Sequence, residues 1–385
     1  MTPPSKLNPY EAIPKMSKLN GPFRVLGLMS GTSLDGLDMT LSQFVRGKRD
    51  GVWSGDLREF KGVGFSDEWK KELMNLSNSS AEEWHRVARD WTLWCAEEVV
   101  KSGWLEEVDL VVFHGQTVFH RPDEGWTGQL ASGSHMYAAL GSETPVVCDL
   151  RSLDVAMGGQ GAPLVPLADR HLYGAHETCL NLGGFANVSY ENGDSGERLA
   201  YDLGVCNLLF NGIAAKEGLA MDEGGRIAGA GEVIPELLEL WLQLPYHRQE
   251  PPKSIGREWF EAEVLTKMEL FPEASTVDLM ATAGHYVAST IRSSVQGKTV
   301  FVTGGGAYNT HLIQLLESQN PSLVGSACEV VVPENRHVEG KEAHAFGFLG
   351  LLRVLGEHNV LTSVTGASKP SSGGALWGFP HFLSR

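Results

Sequence analysis

Cysteine is sparse: Cys95, Cys148, Cys179, Cys206 and Cys328 lie far apart, odd in number, and no CxxC pair occurs. That excludes a disulfide framework and a zinc-ribbon site, and fits a reducing intracellular compartment. Long apolar runs are absent, so no segment approaches the ~18–20 residues of a membrane span. The first 22 residues carry Pro3, Pro4, Pro14 and Pro22 with Lys6, Lys15 and Lys18, and lack the apolar stretch of a signal peptide. They read as a loose tail before a cytoplasmic protein. Basic residues are also short: 31 Lys and Arg stand against 47 Asp and Glu, a net charge of −16. So acidic a surface repels phosphates, which excludes a general nucleic-acid or anionic-membrane binder. A phosphorylated ligand then needs a local site of backbone N–H groups or a metal ion.

Glycine, by contrast, is abundant, with 45 residues in 385 and no strict period. Collagen is excluded, and the excess belongs in tight turns and close backbone approaches. The length suits two or three domains. FRVLGLMS (23–30) and LDMTLSQF (37–44) predict a β-hairpin with a polar, Gly-flanked tip. A helix is expected near 81–102, where Ser80 and Glu83 have capping-box spacing and Trp84, Val87, Trp91, Trp94 and Cys95 form an apolar stripe. Strands are expected at 108–115 and 144–150. A second strand–Gly turn–strand follows at 177–190, then a strand at 198–204 and a helical stretch from Asn207. The helix over 276–296 stops at Gly297 and feeds a strand that ends in three glycines, Gly304 to Gly306. Strands alternating with helices indicate an α/β class, and two Gly-tipped hairpins about 150 residues apart suggest two domains of similar plan across a cleft.

The densest chemical signal runs from Gly31 through Thr32, Ser33, Leu34, Asp35, Gly36 and Leu37 to Asp38. Glycines and hydroxyls at a hairpin tip expose donors with little bulk, as a phosphate requires. Asp35 and Asp38 repel bare phosphate, which favours a divalent cation between them. The competing reading is a plain polar turn. Asn181–Asn187, with Gly183 and Gly184, is followed by Asp202, Gly204 and Asn207. A carboxylate at a strand's C-terminal end faces the ligand crevice in α/β folds; an Asx-turn or cap is the alternative. Gly304, Gly305, Gly306 and Asn309 superficially match a dinucleotide fingerprint with Glu329 beyond, but the third glycine is missing. His114 follows a strand and heads Gly115-Gln116-Thr117, where a substrate contact competes with a structural histidine. Arg151 suits a carboxylate or phosphate, or an exposed salt bridge, and leads toward the Gly-rich stretch around Gln160. Gly297-Lys298-Thr299 is no P-loop, because Arg292 occupies its first glycine position and a strand follows rather than precedes it. Neither Ser30 nor Ser33 gives GxSxG, and no histidine pair gives a zinc spacing.

The blocks GLMSGTSLDGLD, HGQTVFHRP, GGQGAPLVP, NLGGFANVS, TGGGAYN and KEAHAF together resemble the anhydro-N-acetylmuramic acid kinases, over residues 25 to about 350. The resemblance implies an actin, hexokinase and Hsp70-like (ribonuclease H-like) fold, two α/β domains with ATP in a central cleft. It implies a domain of residues 23–150 plus about 355–385, and a second of 151–354. Gly31 to Asp38 become the first phosphate loop, Gly183 and Gly184 the second, and Gly304 to Gly306 with Asn309 the adenosine loop. His114, Gln116, Thr117, Arg151, Gln160 and Asn207 become substrate contacts. Glu342 and Asp35 become ligands of Mg²⁺. Asp202 becomes the general base on a water that opens the 1,6-anhydro bridge of a peptidoglycan-recycling sugar, while O6 takes the γ-phosphoryl group. The alternatives are a kinase of another anhydro-sugar such as levoglucosan, or a non-catalytic nucleotide-dependent protein of this fold. A homodimer is the assembly considered, with no nucleic-acid or membrane partner. Val205 and Cys206 replace a Pro-Gly bend common in that family, and Ile255 replaces a threonine; the turn after Asp202 is therefore expected to differ locally.

Overall fold

A computed structural model of the chain describes residues 20–48, 51–141, 143–295 and 298–378. Residues 1–19 of the expected tail, and the expected helix stop at Gly297, lie outside the described residues. Contacts divide the chain into one unit of Met1–Leu172 with Glu342–Arg385 and another of Tyr173–Lys341.

In the first unit, β1 (Phe23–Ser30) and β2 (Gly36–Arg46) make the expected hairpin, with Leu28 opposite Met39 and Met29 opposite Asp38. β3 (Trp53–Gly64) continues the meander antiparallel to β2. β4 (Leu110–Arg121) runs parallel to β1, and β5 (Trp126–Leu130) folds back on its far half. β6 (Val146–Cys148) is parallel to β4, and β12 (Ala375–Trp377) closes that edge antiparallel to β6. β1 is buried on both faces, which is why it reads as a near-continuous apolar run. Leu26 and Leu28 join Trp91, Cys95 and Val99 of the Ala81–Ser102 helix on one face. Val25 and Met29 join Phe346, Phe348 and Leu352 of the Asn335–Val354 helix on the other.

In the second unit, β7 (Thr178–Leu182), β8 (Phe185–Glu191) and β9 (Arg198–Val205) form an antiparallel meander. β10 (Thr299–Thr303) and β11 (Glu329–Val331) extend it in parallel from β7. The order β9-β8-β7-β10-β11 repeats the first unit's β3-β2-β1-β4-β6. A three-strand meander whose first strand is continued by two parallel strands is the ribonuclease H-like order, so both units have the expected fold. Leu180, Leu203 and Val205 pack with Leu279, Tyr286 and Ile291 of the Thr276–Val295 helix in a single core.

The contact boundaries fall at 172/173 and 341/342, where 150/151 and about 354 were expected. Leu164, Leu167 and Ala168 of the 151–172 stretch complete the first unit's core beside Leu150. The Asn335–Val354 helix contains the second boundary: Val338 packs in the Tyr173–Lys341 core, whereas Ala343 through Val354 pack in the other. The five cysteines are buried and unbridged. Among the described residues no helix is long and apolar enough to cross a membrane.

Candidate active site

The turn between β1 and β2 exposes Thr32, Ser33 and Asp35. Leu34 sits in the left-handed region at φ 58°, uncommon for a residue with a side chain, and its N–H closes the turn on the Gly31 carbonyl at 3.3 Å. The Gln116 amide, from β4, donates to the same carbonyl at 3.2 Å and accepts from the Ser30 hydroxyl. Gln116 thus braces the turn from a neighbouring strand. Leu37 is a core residue and Asp38 is half-buried in β2, so the exposed part of the motif ends at Asp35.

His114 precedes Gly115, whose φ of 84° and close approach to the Leu130 carbonyl and the Ala131 methyl no larger residue fits. The Arg151 Nε donates to His114 Nε2 at 2.8 Å. His114 Nε2 is therefore the acceptor, and Nδ1 carries the proton that it donates to the Gly115 carbonyl at 2.6 Å. Burial, reinforced by the Arg151 charge, holds the imidazole well below its ordinary pKa. Both ring nitrogens are engaged within the unit, so His114 orients Arg151. The guanidinium also donates to the Gly161 carbonyl at 2.8 Å and lies 5.2 Å over the Phe346 ring. Burial lowers its pKa and the Glu342 carboxylate opposes that fall. The buried Asp154 accepts from Gly161 N at 2.8 Å and from the Thr365 hydroxyl at 2.8 Å, which shapes the loop carrying the exposed Gln160. Thr117 is half-buried opposite Gln129 in the β4–β5 pair.

In the second unit Asp202 lies within β9, opposite Asn187, rather than at its end. Its Oδ2 accepts from the Ile255 N–H at 3.1 Å. Burial raises its pKa, and that hydrogen bond pulls the other way. A half-dehydrated carboxylate with one oxygen held and a raised pKa is a better proton acceptor than a fully solvated one. β9 continues through Val205 with a bulge at Leu203, where its pairing with β8 shifts register, and Cys206 at φ −133° leads into the Asn207–Ala214 helix. The Val-Cys pair therefore sits without a positive φ, and the strand-to-helix step replaces a glycine bend.

Asn207 donates from Nδ2 to the Leu182 carbonyl at 2.9 Å, tying the helix start to the end of β7. Gly183 and Gly184 supply their carbonyls to the N–H groups of Cys206, Asn207 and Leu208 at 2.9 to 3.2 Å. Gly304, at φ 82°, packs so closely on β7 that a Cβ would lie 2.6 Å from Asn181 Oδ1. Asn309 caps the Thr310–Glu317 helix by accepting from Leu312 N at 2.9 Å. A cavity of about 510 Å³ is walled by Trp259, Ser254, Glu258 and the two hydrogen-bond partners of Asp202, Tyr246 and Ile255.

Residues 23–379 match the family described as Anhydro-N-acetylmuramic acid kinase. The chain belongs to the anhydro-N-acetylmuramic acid kinase family. Relatives of that name include one from Ruegeria sp. (strain TM1040), 35% identical over 93% of this chain and 95% of its own length. Another, from Paramagnetospirillum magneticum, is 34% identical over 91% of this chain and 98% of its own. Among solved structures, component A of the Acidaminococcus fermentans (R)-2-hydroxyglutaryl-CoA dehydratase overlays 84% of this chain and 96% of its own at 12% identity and a TM-score of 0.40, too loose to carry an argument.

A kinase of the anhydro-N-acetylmuramic acid kinase family takes ATP as cosubstrate, and the first unit presents hydroxyls and carboxylates of the kinds that bind phosphate and divalent cations. Thr32, Ser33 and Asp35 are exposed at one turn, and Glu342 is an exposed carboxylate. Among the described residues no three His, Cys, Asp or Glu side chains gather as a metal cage. Magnesium is commonly held by one or two carboxylates with phosphate oxygens and water, so a cage is not required. Sequence reasoning missed the partners of Asp202, Tyr246 and Ile255 among them. Ile255 was marked only as standing where that family commonly has threonine, and nothing marked Tyr246.

Proposed function

We propose that this chain opens the 1,6-anhydro ring of anhydro-N-acetylmuramic acid with water and transfers the γ-phosphoryl group of ATP to O6. The products are N-acetylmuramic acid 6-phosphate and ADP, a step in the recycling of cell-wall sugar. Asp202 takes a proton from water; the remaining O–H bonds to the anomeric carbon as its bond to O6 breaks; O6 then forms its bond to phosphorus as the bond to the ADP oxygen breaks. The observation that carries this reading is the Asp202 carboxylate, raised in pKa by burial and held at one oxygen by Ile255 N–H.

Thr32, Ser33 and the backbone of the Gly31–Gly36 turn contact the phosphates in this reading, braced by Gln116. The Gly304–Asn309 turn lies by the adenosine, with Asn309 acting through its helix cap. Arg151, aimed by His114, neutralises an anionic group. Asp35 and Glu342 hold Mg²⁺, which supplies charge neutralisation at the phosphates.

Asp202→Asn tests it. Asn preserves shape and accepts the Ile255 hydrogen bond but cannot take the proton. Turnover, read as ADP release with the anhydro-sugar, is expected to fall at least about 10²–10⁴-fold with nucleotide affinity unchanged. Turnover within about threefold of the parent rejects Asp202 as the base. The same assay on levoglucosan and on bridge-opened sugar checks the acceptor, which this reading requires to carry both the bridge and the lactyl group.

A further inference from the structure

We propose that the 245–256 segment is a positioning device for Asp202, with Tyr246 and Ile255 as its positioning residues. The inference rests on the reading of Asp202 as the base. β9 is the edge strand of its sheet, and edge strands leave backbone groups without ladder partners. Here the segment covers that edge at Asp202. The Asp202 N–H donates to the Lys253 carbonyl at 3.3 Å, and the Asp202 carbonyl accepts from the Tyr246 hydroxyl at 2.7 Å. The Ile255 N–H holds Oδ2 at 3.1 Å. Three polar groups of one residue are thus fixed from one side. Oδ1 accepts no hydrogen bond from the described residues, which leaves it as the atom to receive the proton.

The segment has no regular ladder of its own and is fastened by side chains. His247 Nε2 is 3.0 Å from the Tyr286 hydroxyl of the buried Thr276–Val295 helix. The Lys253 ammonium donates to the Tyr246 carbonyl at 3.3 Å and lies over the Tyr246 and Tyr201 rings at 4.8 and 5.4 Å. The Tyr246 ring itself packs 5.2 Å from Trp259. Tyr246 is therefore held in place independently of its bond to Asp202.

The surroundings make Asp202 readable by pH. On β9, burial pushes the Tyr201 hydroxyl up, so it stays neutral at pH 7. Burial pushes Tyr246 and Tyr286 up as well. His247 is held down to about 4, so its ring is neutral. Burial lowers the Lys253 ammonium, and the Glu250 carboxylate opposes that fall. Burial raises the Asp202 carboxyl, and the Ile255 N–H is the group that opposes that rise. Loss of the Ile255 N–H removes the bond that favours the carboxylate, so its pKa rises further.

The experiment compares Tyr246→Phe, Ile255→Pro and Asp202→Asn in the full chain, by steady-state kinetics across pH 5–8 and by melting temperature. Tyr246→Phe is expected to lower kcat about tenfold, with the sugar KM within about twofold and melting nearly unchanged. Ile255→Pro, which lacks the N–H, is expected to move the acid limb of kcat to higher pH. Should Ile255→Pro fail to fold, Tyr246→Phe still decides through its split of kcat from KM. Parental kcat in Tyr246→Phe, or an unmoved acid limb in a folded Ile255→Pro, overturns the proposal while an inactive Asp202→Asn leaves the base intact. A fully active Asp202→Asn overturns the base reading itself, and the proposal with it.

Discussion

In the first unit the turn between β1 and β2 leaves Thr32, Ser33 and Asp35 in solvent; in the second, the turn between β7 and β8 gives its Gly183 and Gly184 carbonyls to the start of a helix. The sheets share one strand order, so topology does not separate them. The helix after each meander does, because the first N–H groups of a helix need acceptors. Beyond β3, the Asp67–Asn75 helix is capped by its own Ser66, whose side chain accepts from Trp69 N. β9 passes directly through Cys206 into the Asn207–Ala214 helix, and Cys206 makes no side-chain cap bond. The Gly183 and Gly184 carbonyls of the neighbouring hairpin turn take that place. Two glycine-tipped hairpins therefore differ in role: one presents donors outward, and the other anchors a helix beside the strand that carries Asp202.

Acid exposes the largest difference from neutral conditions. Each unit holds a histidine neutral by desolvation, the buried His114 in the first and the half-buried His247 in the second. Their folded pKa values lie below the unfolded value, so below pH ~6.5 the unfolded chain binds protons that the native one refuses. Stability is expected to fall as pH drops from about 7 toward 4, by on the order of 3 kcal/mol for His247 held at about 4. Asp202, raised by burial, works in the opposite sense: its cost appears as pH rises from the unfolded carboxyl value through the folded one. Urea unfolding at pH 7.5, 5.5 and 4 of the parent and His247→Gln checks this; an undiminished slope in His247→Gln contradicts it. The same sign makes Asp202→Asn at neutral pH melt no lower than the parent.

Glycine replacements sharpen the contrast between the loops. Gly304→Ala forces a Cβ into β7 at a positive φ and is expected to cost about 2 kcal/mol, read by urea unfolding. At Gly31 a Cβ would meet only the Ser33 hydroxyl, at 3.5 Å. Gly31→Ala is therefore expected to unfold within about 1 kcal/mol of the parent, with any loss confined to the nucleotide KM. Equal destabilisation at both positions would erase the distinction between an outward turn and a packed one. The smallest effect is at a helix end: Ser80 accepts from Glu83 N at 3.2 Å, and Ser80→Ala is expected to cost about 1 kcal/mol in the same assay.

The elements legible in the sequence are those whose signals are local and undivided. The β1–β2 hairpin, the capped Ala81–Ser102 helix, the β7–β9 meander and the Thr276–Val295 helix lie where pattern and caps place them. β3 carries glycines and charges, with only Trp53 and Leu57 buried, so its alternation is weak. The Asn335–Val354 helix contributes to two cores along its length, which leaves no single apolar stripe to read. At the site, residue types were legible but partners were not. Gln116 and His114 read as contacts for a substrate, whereas their side chains reach the Gly31 turn and Arg151.

By itself the sequence determined the family, the α/β class, the β1–β2 hairpin, the β7–β9 meander and the residue types at the candidate positions, because periodicity, caps and glycine turns act over a few residues. Tertiary structure alone decided what surrounds those positions. Tyr246 and Ile255 reach Asp202 across 44 and 53 residues, and Arg151 reaches His114 across 37. Desolvation and hydrogen-bond partners set a group's protonation, and both arise only when distant segments pack together.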